Sequence, residues 1–408
     1  MTAGTTAVTD DERLARTALA RVVEPGSHEV HRALQKQSAV QVWEDVKAGA
    51  PLGNLGQQAL EGVAGRVHDY DPGSDLDRLF AVGGRVVCPG DAEWPAGMVW
   101  ELGQLTGQVR QMAPPWVLFA RGPHDVREVT AASVAVVGAR AATSYGEQVA
   151  GELALALSEA GIGIVSGGAY GIDGAAHRAA LGAAAAATVA VLACGVDISY
   201  PRGNDRLLGQ ICAEGVVLSE VPPGSAPTRM RFLVRNRLIA ALSQGTVVVE
   251  AARRSGSLST AGRAEELGRQ VMAVPGPVTS VQSAGCHDLI RDGKAVLVTD
   301  AAQVLELIGR AGEHLAPLLR GPSDPRDGLS DTVRRVLDAL PVRNAVGVAR
   351  IARTAGVSAL VVQQVLPPLL IAGLVEQREG AWRLTALGAG KPAARGEAGV
   401  AARASVVA

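Results

Sequence analysis

Residues 133–166 read SVAVVGARAATSYGEQVAGELALALSEAGIGIVS, and this stretch decides the fold class. It begins with a short β-branched run, passes through a polar loop into a segment with helical periodicity, and ends in a second apolar run. Strands that are apolar on both faces and separated by helices are typical of a parallel sheet covered on both sides. The stretch therefore predicts one repeat of a doubly wound α/β domain.

The same alternation continues to about residue 309. Helices are predicted between the strands, for example over 145–160 and 258–268. The predicted strands lie near 134–137, 163–165, 189–193, 216–218, 246–249, 271–274 and 296–298.

Smaller units are predicted on either side. Helical spacing broken by Pro25-Gly26-Ser27 and Pro51-Leu52-Gly53 predicts a helical N-terminal module over residues 1–75. A connecting region rich in Pro and Trp, 76–130, opens the main domain, which is predicted to span 76–310. Residues 311–328 predict a linker, and residues 387–408 predict a disordered tail.

Residues 329–386 predict three helices followed by a β-hairpin, which is the winged-helix pattern. Pro367 and Pro368 fall inside the third helix. Because Pro367 cannot donate to the carbonyl of Gln363, we expect that helix to kink or end there.

The overall charge excludes a protein that is basic throughout. The 408 residues carry 39 Lys+Arg against 40 Asp+Glu, a net charge of -1, and all the cations except Lys36, Lys47, Lys294 and Lys391 are arginines. Any phosphate contact is therefore expected from guanidinium groups. Aromatic residues make up only 3%, which argues against an extended base-stacking platform.

No metal site, disulfide framework, cofactor or membrane span is predicted. Four cysteines lie far apart with no C-x-x-C, and the N-terminus lacks the basic and apolar regions of a signal peptide. We expect a cytoplasmic protein with buried thiols.

The first strand-to-helix loop, 138–146, contains Arg140, Thr143 and Ser144. Backbone N–H groups, the helix dipole and Arg140 would converge there on one anion. The alternative is a helix capped by Thr143 or Ser144 beside an exposed arginine, and the loop alone leaves both open. G-x-G-x-x-G is absent, which argues against NAD.

The second and third loops carry weaker signals. Three glycines between 167 and 171 allow a close backbone approach, while Asp173 is predicted to cap a helix and His177 to be packed. Tyr200, in the third loop, is placed either to stack on a base or to pack.

The fourth loop, 250–261, shows the strongest anion signal, because Arg253, Arg254 and Ser255-Gly256-Ser257 precede a helix. It lacks G-x-x-x-x-G-K-[ST] and is therefore not an NTPase P-loop.

Arginine is concentrated between Ser225 and Arg254, where Glu250 is the single acid. This density predicts a polyanion partner. A solvated helix with one arginine in a structural ion pair is the alternative. The six arginines are Arg229, Arg231, Arg235, Arg237, Arg253 and Arg254.

Eight segments in this order resemble the DNA-processing protein A family (DprA, also called Smf), from about Pro89 to Ala301. They are GARAATSYG (138–146), SGGAYGIDGAAHRAAL (166–181), GVDISYP (195–201), SEVPPG (219–224), RFLVRNRLIAAL (231–242), VVVEAARRSGSLSTA (247–261), GRQVMAVPG (268–276) and GCHDLIRDG (285–293).

The resemblance implies an extended Rossmann-like domain that binds single-stranded DNA, forms a homodimer and helps to load the RecA recombinase in natural transformation and related recombination. Two departures affect the motifs, because the family usually has Pro at Leu233 and Asn at His287. Transferred by position, the resemblance places these residues in the DNA groove: Gly138, Arg140, Ser144, Tyr145, Gly167, Gly168, Arg235, Asn236, Arg237, Ser255, Gly256 and Ser257. The arginine cluster adds Arg229, Arg231 and Arg254 as predicted DNA contacts.

A nucleotide phosphoribohydrolase of the lysine-decarboxylase-like (LOG) family is the alternative function, on a related Rossmann-like fold. That family would require a P-G-G-x-G-T-x-x-E loop where this chain has SGSLSTAGR, with Gly262-Arg263 in place of the acid. Glu250 and Asp173 are the well-placed acids, and both have simple structural roles. We therefore predict a binding protein and not an enzyme.

A third hypothesis makes the winged helix the main actor, as a regulator that binds duplex DNA. Residues 329–386 hold seven Arg and four acids, so this unit is only mildly basic.

Overall fold

The computed structural model describes residues 8–50, 65, 67, 70–109, 111–183, 185–309, 326 and 328–389. The chain divides into two compact units, Met1–Ala316 and Pro317–Ala408.

The first unit is built on a sheet of nine described strands in the order β1-β2-β6-β5-β4-β3-β7-β8-β9. Strands β3 to β9 are parallel, and β1 and β2 join one edge in antiparallel pairing. The strands are β1 Gly84–Val87, β2 Leu118–Arg121, β3 Ser133–Val137, β4 Gly163–Ser166, β5 Thr188–Leu192, β6 Val216–Ser219, β7 Gly245–Val248, β8 Gln270–Ala273 and β9 Val296–Leu297.

Helices connect and cover these strands. Those described in the first unit are α1 Asp10–Val22, α2 His28–Leu34, α3 Ala39–Lys47, α4 Pro72–Ala81, α5 Ala96–Leu105, α6 Val126–Ala131, α7 Ser144–Glu159, α8 Ile172–Ala180, α9 Asp205–Glu214, α10 Arg229–Ala241, α11 Ser257–Glu266, α12 Ala284–Arg291 and α13 Ala301–Ile308. Because α10 carries the densest run of cations, it is called the arginine helix below.

The predicted doubly wound parallel sheet is confirmed, and its strands β3 to β7 are buried on both faces. In β3, Val134 and Val136 pack into one apolar cluster, whereas Ala135 and Val137 pack into another on the opposite face. This alternation follows from the two-residue period of a strand, and it explains why residues 134–137 are all apolar.

Strands β1 and β2 were not predicted, because their segment was interpreted as a connecting region. Each is four residues long, and β2 pairs antiparallel with β6, which lies about 100 residues further along the chain. A pairing between such distant segments leaves no local period in the sequence.

The N-terminal helices share a core with the sheet. Leu19 and Val22 of α1 lie in the same apolar cluster as Leu192, Leu208 and Val217. The predicted boundary between residues 75 and 76 and the other domain boundaries stay predictions.

The second unit contains helices α14 Asp331–Asp338, α15 Val348–Ala355 and α16 Ala359–Ile371, and an antiparallel hairpin of β10 Val375–Arg378 and β11 Ala381–Leu384. Its assignment as a winged helix stays a prediction.

Helix α16 does not end at the two prolines, so of the two expected outcomes the end was wrong, and the kink stays a prediction. It continues through both to Ile371, where the Ala372 N–H donates to the Pro368 carbonyl at 2.9 Å. Leu366 and Leu369, on either side of the pair, are buried in the core of the unit. This packing holds the helix although Pro367 and Pro368 cannot donate main-chain hydrogen bonds.

Within the described residues, no single helix has both the length and the apolar character needed to cross a membrane, although α15 and α16 meet that test together as a pair bent by 104°. The four cysteines are free thiols. The described residues contain no group of three or more His, Cys, Asp or Glu side chains arranged to hold a metal ion.

Two buried polar groups in the first unit lead to stability predictions. His177 on α8 is fully buried, and its Nδ1 lies 2.8 Å from the Thr188 hydroxyl. That hydroxyl donates to the Ile164 carbonyl, so Nδ1 is the donor to it. Burial lowers the pKa of His177 to about 3.

We expect His177 to make stability fall as the pH falls below about 6.5, because only the unfolded chain takes up the proton there. The loss should reach about 2 kcal/mol between pH 7.5 and pH 5. Urea denaturation of wild type and His177→Gln at both pH values measures it, with His124→Gln as an exposed control. An unchanged pH dependence in His177→Gln would contradict the prediction.

The second group is the ion pair between Arg237 on the arginine helix and Glu220, which follows β6. Arg237 is 0% exposed, and its Nη2 donates to both carboxylate oxygens at 2.6 and 2.7 Å. Burial raises the pKa of Glu220, and the Arg237 charge opposes that rise.

Arg237→Met should lower the free energy of unfolding by about 3–5 kcal/mol, because it leaves a buried carboxylate without its partner. Lys47→Met breaks the exposed Lys47–Glu44 pair and is expected to cost at most about 1 kcal/mol. Chemical denaturation followed by circular dichroism compares the two variants, and equal losses would refute a special role for the buried pair.

Candidate nucleic-acid interface

An open cleft of about 730 Å³ lies at the carboxyl ends of the parallel strands. From β3 the chain builds the sheet towards β6 on one side and then crosses to β7 on the other. The loops that follow β3 and β7 therefore diverge, which makes this the topological switch point where open α/β sheets bind ligands. The arginine helix forms another wall of the cleft.

Most of the predicted site residues line this cleft. They come from the loop after β3, the loop after β7 and the arginine helix. They are Gly138, Arg140, Arg229, Arg235, Asn236, Arg254, Ser255, Gly256 and Ser257.

The loop after β7 presents an open helix N-terminus to the cleft. Gly256 is the N-cap of α11 and has no side chain to cap it, and the Ser255 hydroxyl accepts a hydrogen bond of 3.4 Å from the Ser257 N–H. The hydroxyls of Ser255 and Ser257 lie 2.8 Å apart beside it, and Arg254 is exposed. Donors, the positive end of the helix dipole and a cation coincide here, as the sequence predicted.

Arg253, the neighbour of Arg254, is not among the residues that line the cleft. Its Nε donates to Asp288 on α12 at 2.8 Å, and this bond lowers the pKa of Asp288.

The loop after β3 differs, because a carboxylate of the protein already lies at its helix N-terminus. Glu250 is buried and accepts hydrogen bonds from the Thr143 N–H at 2.9 Å and the Thr143 hydroxyl at 2.6 Å. The Thr143 hydroxyl also caps Gly146 of α7. Of the two alternatives for this loop, the structure shows the helix capped by Thr143, with Glu250 beside the Thr143 N–H.

Two predicted residues of the first loop lie outside the cleft lining. Ser144 is exposed at the start of α7, and the Tyr145 hydroxyl donates to the Pro275 carbonyl at 2.7 Å. Arg140 alone of the polar residues in this loop reaches the cleft.

Gly167 and Gly168 also lie outside the cleft lining, and each has a structural role inside the protein. A Cβ on Gly167 would come within 2.7 Å of the Arg235 guanidinium, and Gly168 has a φ of +67°. Gly167 thus permits the close approach of Arg235, and Gly168 adopts a conformation that favours glycine.

Arg235 is buried behind the cleft surface. Its Nη1 donates to the Gly167 carbonyl at 3.0 Å and to the Val191 carbonyl. Burial lowers the pKa of Arg235 to about 10, and Asp173, which accepts from the Gly167 and Ala169 N–H groups, opposes that fall. Asp173 is therefore structural.

Arg231 and Arg237, the remaining predicted contacts, are paired with carboxylates away from the cleft lining. Arg237 pairs with Glu220, and Arg231 donates to Glu24. For these two arginines, the alternative prediction of a structural ion pair therefore applies.

Phe232 is a cleft residue that the sequence argument did not single out. Its ring lies 4.9 Å from the Arg140 guanidinium carbon, 5.7 Å from that of Arg235, and 5.6 Å from the ring of Tyr200. Its spacing in the sequence could have identified it. Position 232 is three residues from both 229 and 235 and therefore lies on the same side of the helix as they do.

The cleft therefore combines cations, an aromatic pair and a helix N-terminus on one surface. Guanidinium groups and helix N-termini bind phosphates, and aromatic rings stack on bases. Both kinds of contact are available to a nucleic acid here.

Comparison with known proteins gives the family. The sequence pattern of DNA recombination-mediator protein A matches residues 85–309. A putative DNA processing protein DprA from Mycobacterium tuberculosis is 46% identical over 387 residues, which is 93% of this chain and 96% of that protein. The DNA processing protein DprA of Streptococcus pneumoniae is 45% identical over 191 residues, 47% of this chain and 66% of its own length.

The fold agrees with these matches. The X-ray structure of DNA processing protein A from Streptococcus pneumoniae superposes on 72% of this chain and 95% of its own, with 32% identity and a TM-score of 0.55. The family pattern covers more than half of the chain, and the relative from Mycobacterium tuberculosis is similar along nearly its whole length. Both findings indicate the same family. This chain therefore belongs to the DNA recombination-mediator protein A family, which comprises the DprA and Smf proteins.

Proposed function

We propose that this chain binds single-stranded DNA in the cleft and acts by holding it, without catalysing a reaction. The observation that carries the proposal is the Tyr200–Phe232 aromatic pair beside Arg140 and the open N-terminus of α11. A base can stack on an aromatic face only when it is free of its partner strand, which favours a single strand over a duplex.

The backbone of the strand would be held by Arg140, Arg229 and Arg254 with the N-terminus of α11. Such contacts carry no sequence information, so we expect little preference among sequences. Arg235 supports the ring of Phe232 from behind and is bound to main-chain carbonyls, so its proposed role is to shape the cleft.

From the family we further propose that the protein works in the cytoplasm as a homodimer, protects DNA taken up or processed as single strands, and helps to load the RecA recombinase in natural transformation and recombination. The second unit, proposed to be a winged helix, is an accessory to this activity. Its mild charge gives no reason to make it the principal DNA-binding surface.

The contacts of Glu250 are relevant to the alternative function, a nucleotide phosphoribohydrolase, which would need a catalytic acid. Both of its oxygens accept hydrogen bonds from Thr143, and the carboxylate lies at the N-terminus of α7. An acid held in this way supports a role in positioning the loop, and no feature of the cleft favours the enzyme.

Arg140→Ala and Arg254→Ala should each weaken binding to oligo(dT) and reduce the salt dependence, because each removes one phosphate contact. The slope of log K against log[salt] should fall in magnitude by about 0.7 per lost contact. Fluorescence anisotropy over a salt series measures both, with Arg127→Ala as an exposed arginine on α6 outside the cleft. Absence of saturable binding by wild type at low salt would refute the proposed function.

Phe232→Ala should cost about 1–3 kcal/mol in binding free energy, the usual value of one stacked base. The salt slope should stay unchanged because no charge is removed. The same titrations test this, with Phe80→Ala as a matched control on α4, where the ring is exposed and outside the cleft lining. Equal affinities for wild type and Phe232→Ala would show that no base stacks there.

A further inference from the structure

Arg231 lies in the first turn of the arginine helix but is held by the N-terminal part of the chain. Its Nε and Nη2 donate to the two carboxylate oxygens of Glu24, both at 2.9 Å, and its Nη1 donates to the Ala226 carbonyl at 2.9 Å. The side chain of Arg231 is 14% exposed and that of Glu24 is 47% exposed. This two-pronged geometry is the one in which a guanidinium binds carboxylate or phosphate most strongly.

The position of Arg231 on the helix is close to the cleft. It precedes Arg235 by one helical turn and therefore lies on the same face, and its neighbour Phe232 lines the cleft. Arg231 and Arg235 also border one narrow cavity together with Glu220. A guanidinium released from Glu24 would thus start from the edge of the proposed DNA surface.

The segment that carries Glu24 is attached by other contacts as well. Arg21 donates to Asp75, to the Ser225 hydroxyl at 3.1 Å and to the Pro223 carbonyl. Loss of the Glu24 charge therefore leaves these anchors in place and removes the carboxylate partner of Arg231.

We propose that Glu24 sets the strength of DNA binding by competing with phosphate for Arg231. This inference rests on the proposed function of the cleft. While the pair is closed, the carboxylate neutralises one arginine of the cluster. When a strand occupies the cleft edge, a phosphate can replace the carboxylate in the same two-pronged geometry. Glu24 is thus an affinity-determining residue outside the cleft, supplied by the N-terminal helices.

The test compares wild type, Glu24→Gln, Arg231→Gln and the double variant in oligo(dT) titrations over a salt series. Glu24→Gln should bind several-fold more tightly at low salt, with a slope steeper by about 0.7, because one more arginine meets a phosphate. Arg231→Gln alone should change the slope by less than that amount. The double variant should return to the wild-type slope.

Glu29→Gln is the matched control, because it removes an acid of the same N-terminal region that bonds to Ser27 and not to an arginine. If Glu24→Gln and the double variant bind with the same slope, or if Glu29→Gln reproduces the gain, the effect is general charge removal and the inference is overturned. Unchanged or weaker binding by Glu24→Gln overturns it too. Wild-type protein that fails to bind overturns the proposed function as well, whereas wild-type binding with equal slopes in all variants overturns this inference alone.

Discussion

The buried ion pair between Arg237 and Glu220 places the helix on which the cleft depends. A fully buried guanidinium must be matched by a charge and by hydrogen bonds, so the helix can pack against the sheet only where Glu220 lies opposite Arg237. Two residues earlier, Arg235 is held by the carbonyls of Gly167 and Val191. With these inward arginines held, Arg229 and Phe232 are left on the cleft side.

The two loops at the switch point have opposite electrostatic roles. At the N-terminus of α7, the Glu250 carboxylate and the Thr143 cap satisfy the helix from within. At the N-terminus of α11, the N-cap residue is a glycine without a side chain, and hydroxyls and Arg254 surround the helix end. An anion that enters the cleft therefore meets one helix end that is available and one that is already neutralised.

The preference for arginine over lysine has a structural counterpart in the cleft. Arg140 and Arg235 both lie against Phe232, and a planar guanidinium can stack on an aromatic ring while its edge binds oxygen. A lysine ammonium group would not combine the two contacts in this geometry. The near absence of lysine thus fits a surface where cations and rings are interleaved.

The sequence by itself determined the doubly wound sheet, the order of its parallel strands along the chain and the loops that meet at its carboxyl edge. These features have a local signature, because a buried strand is apolar at every position and a covering helix follows it. It also located the arginine cluster and the exposed N-terminus of α11. Only the tertiary structure decided that Arg231 and Arg237 pair with carboxylates and that Glu250 lies at the N-terminus of α7. It also decided that β1 and β2 extend the sheet. Each of these depends on a partner distant in the sequence, and arginines placed all round a helix show no periodicity that would tell which of them face inward.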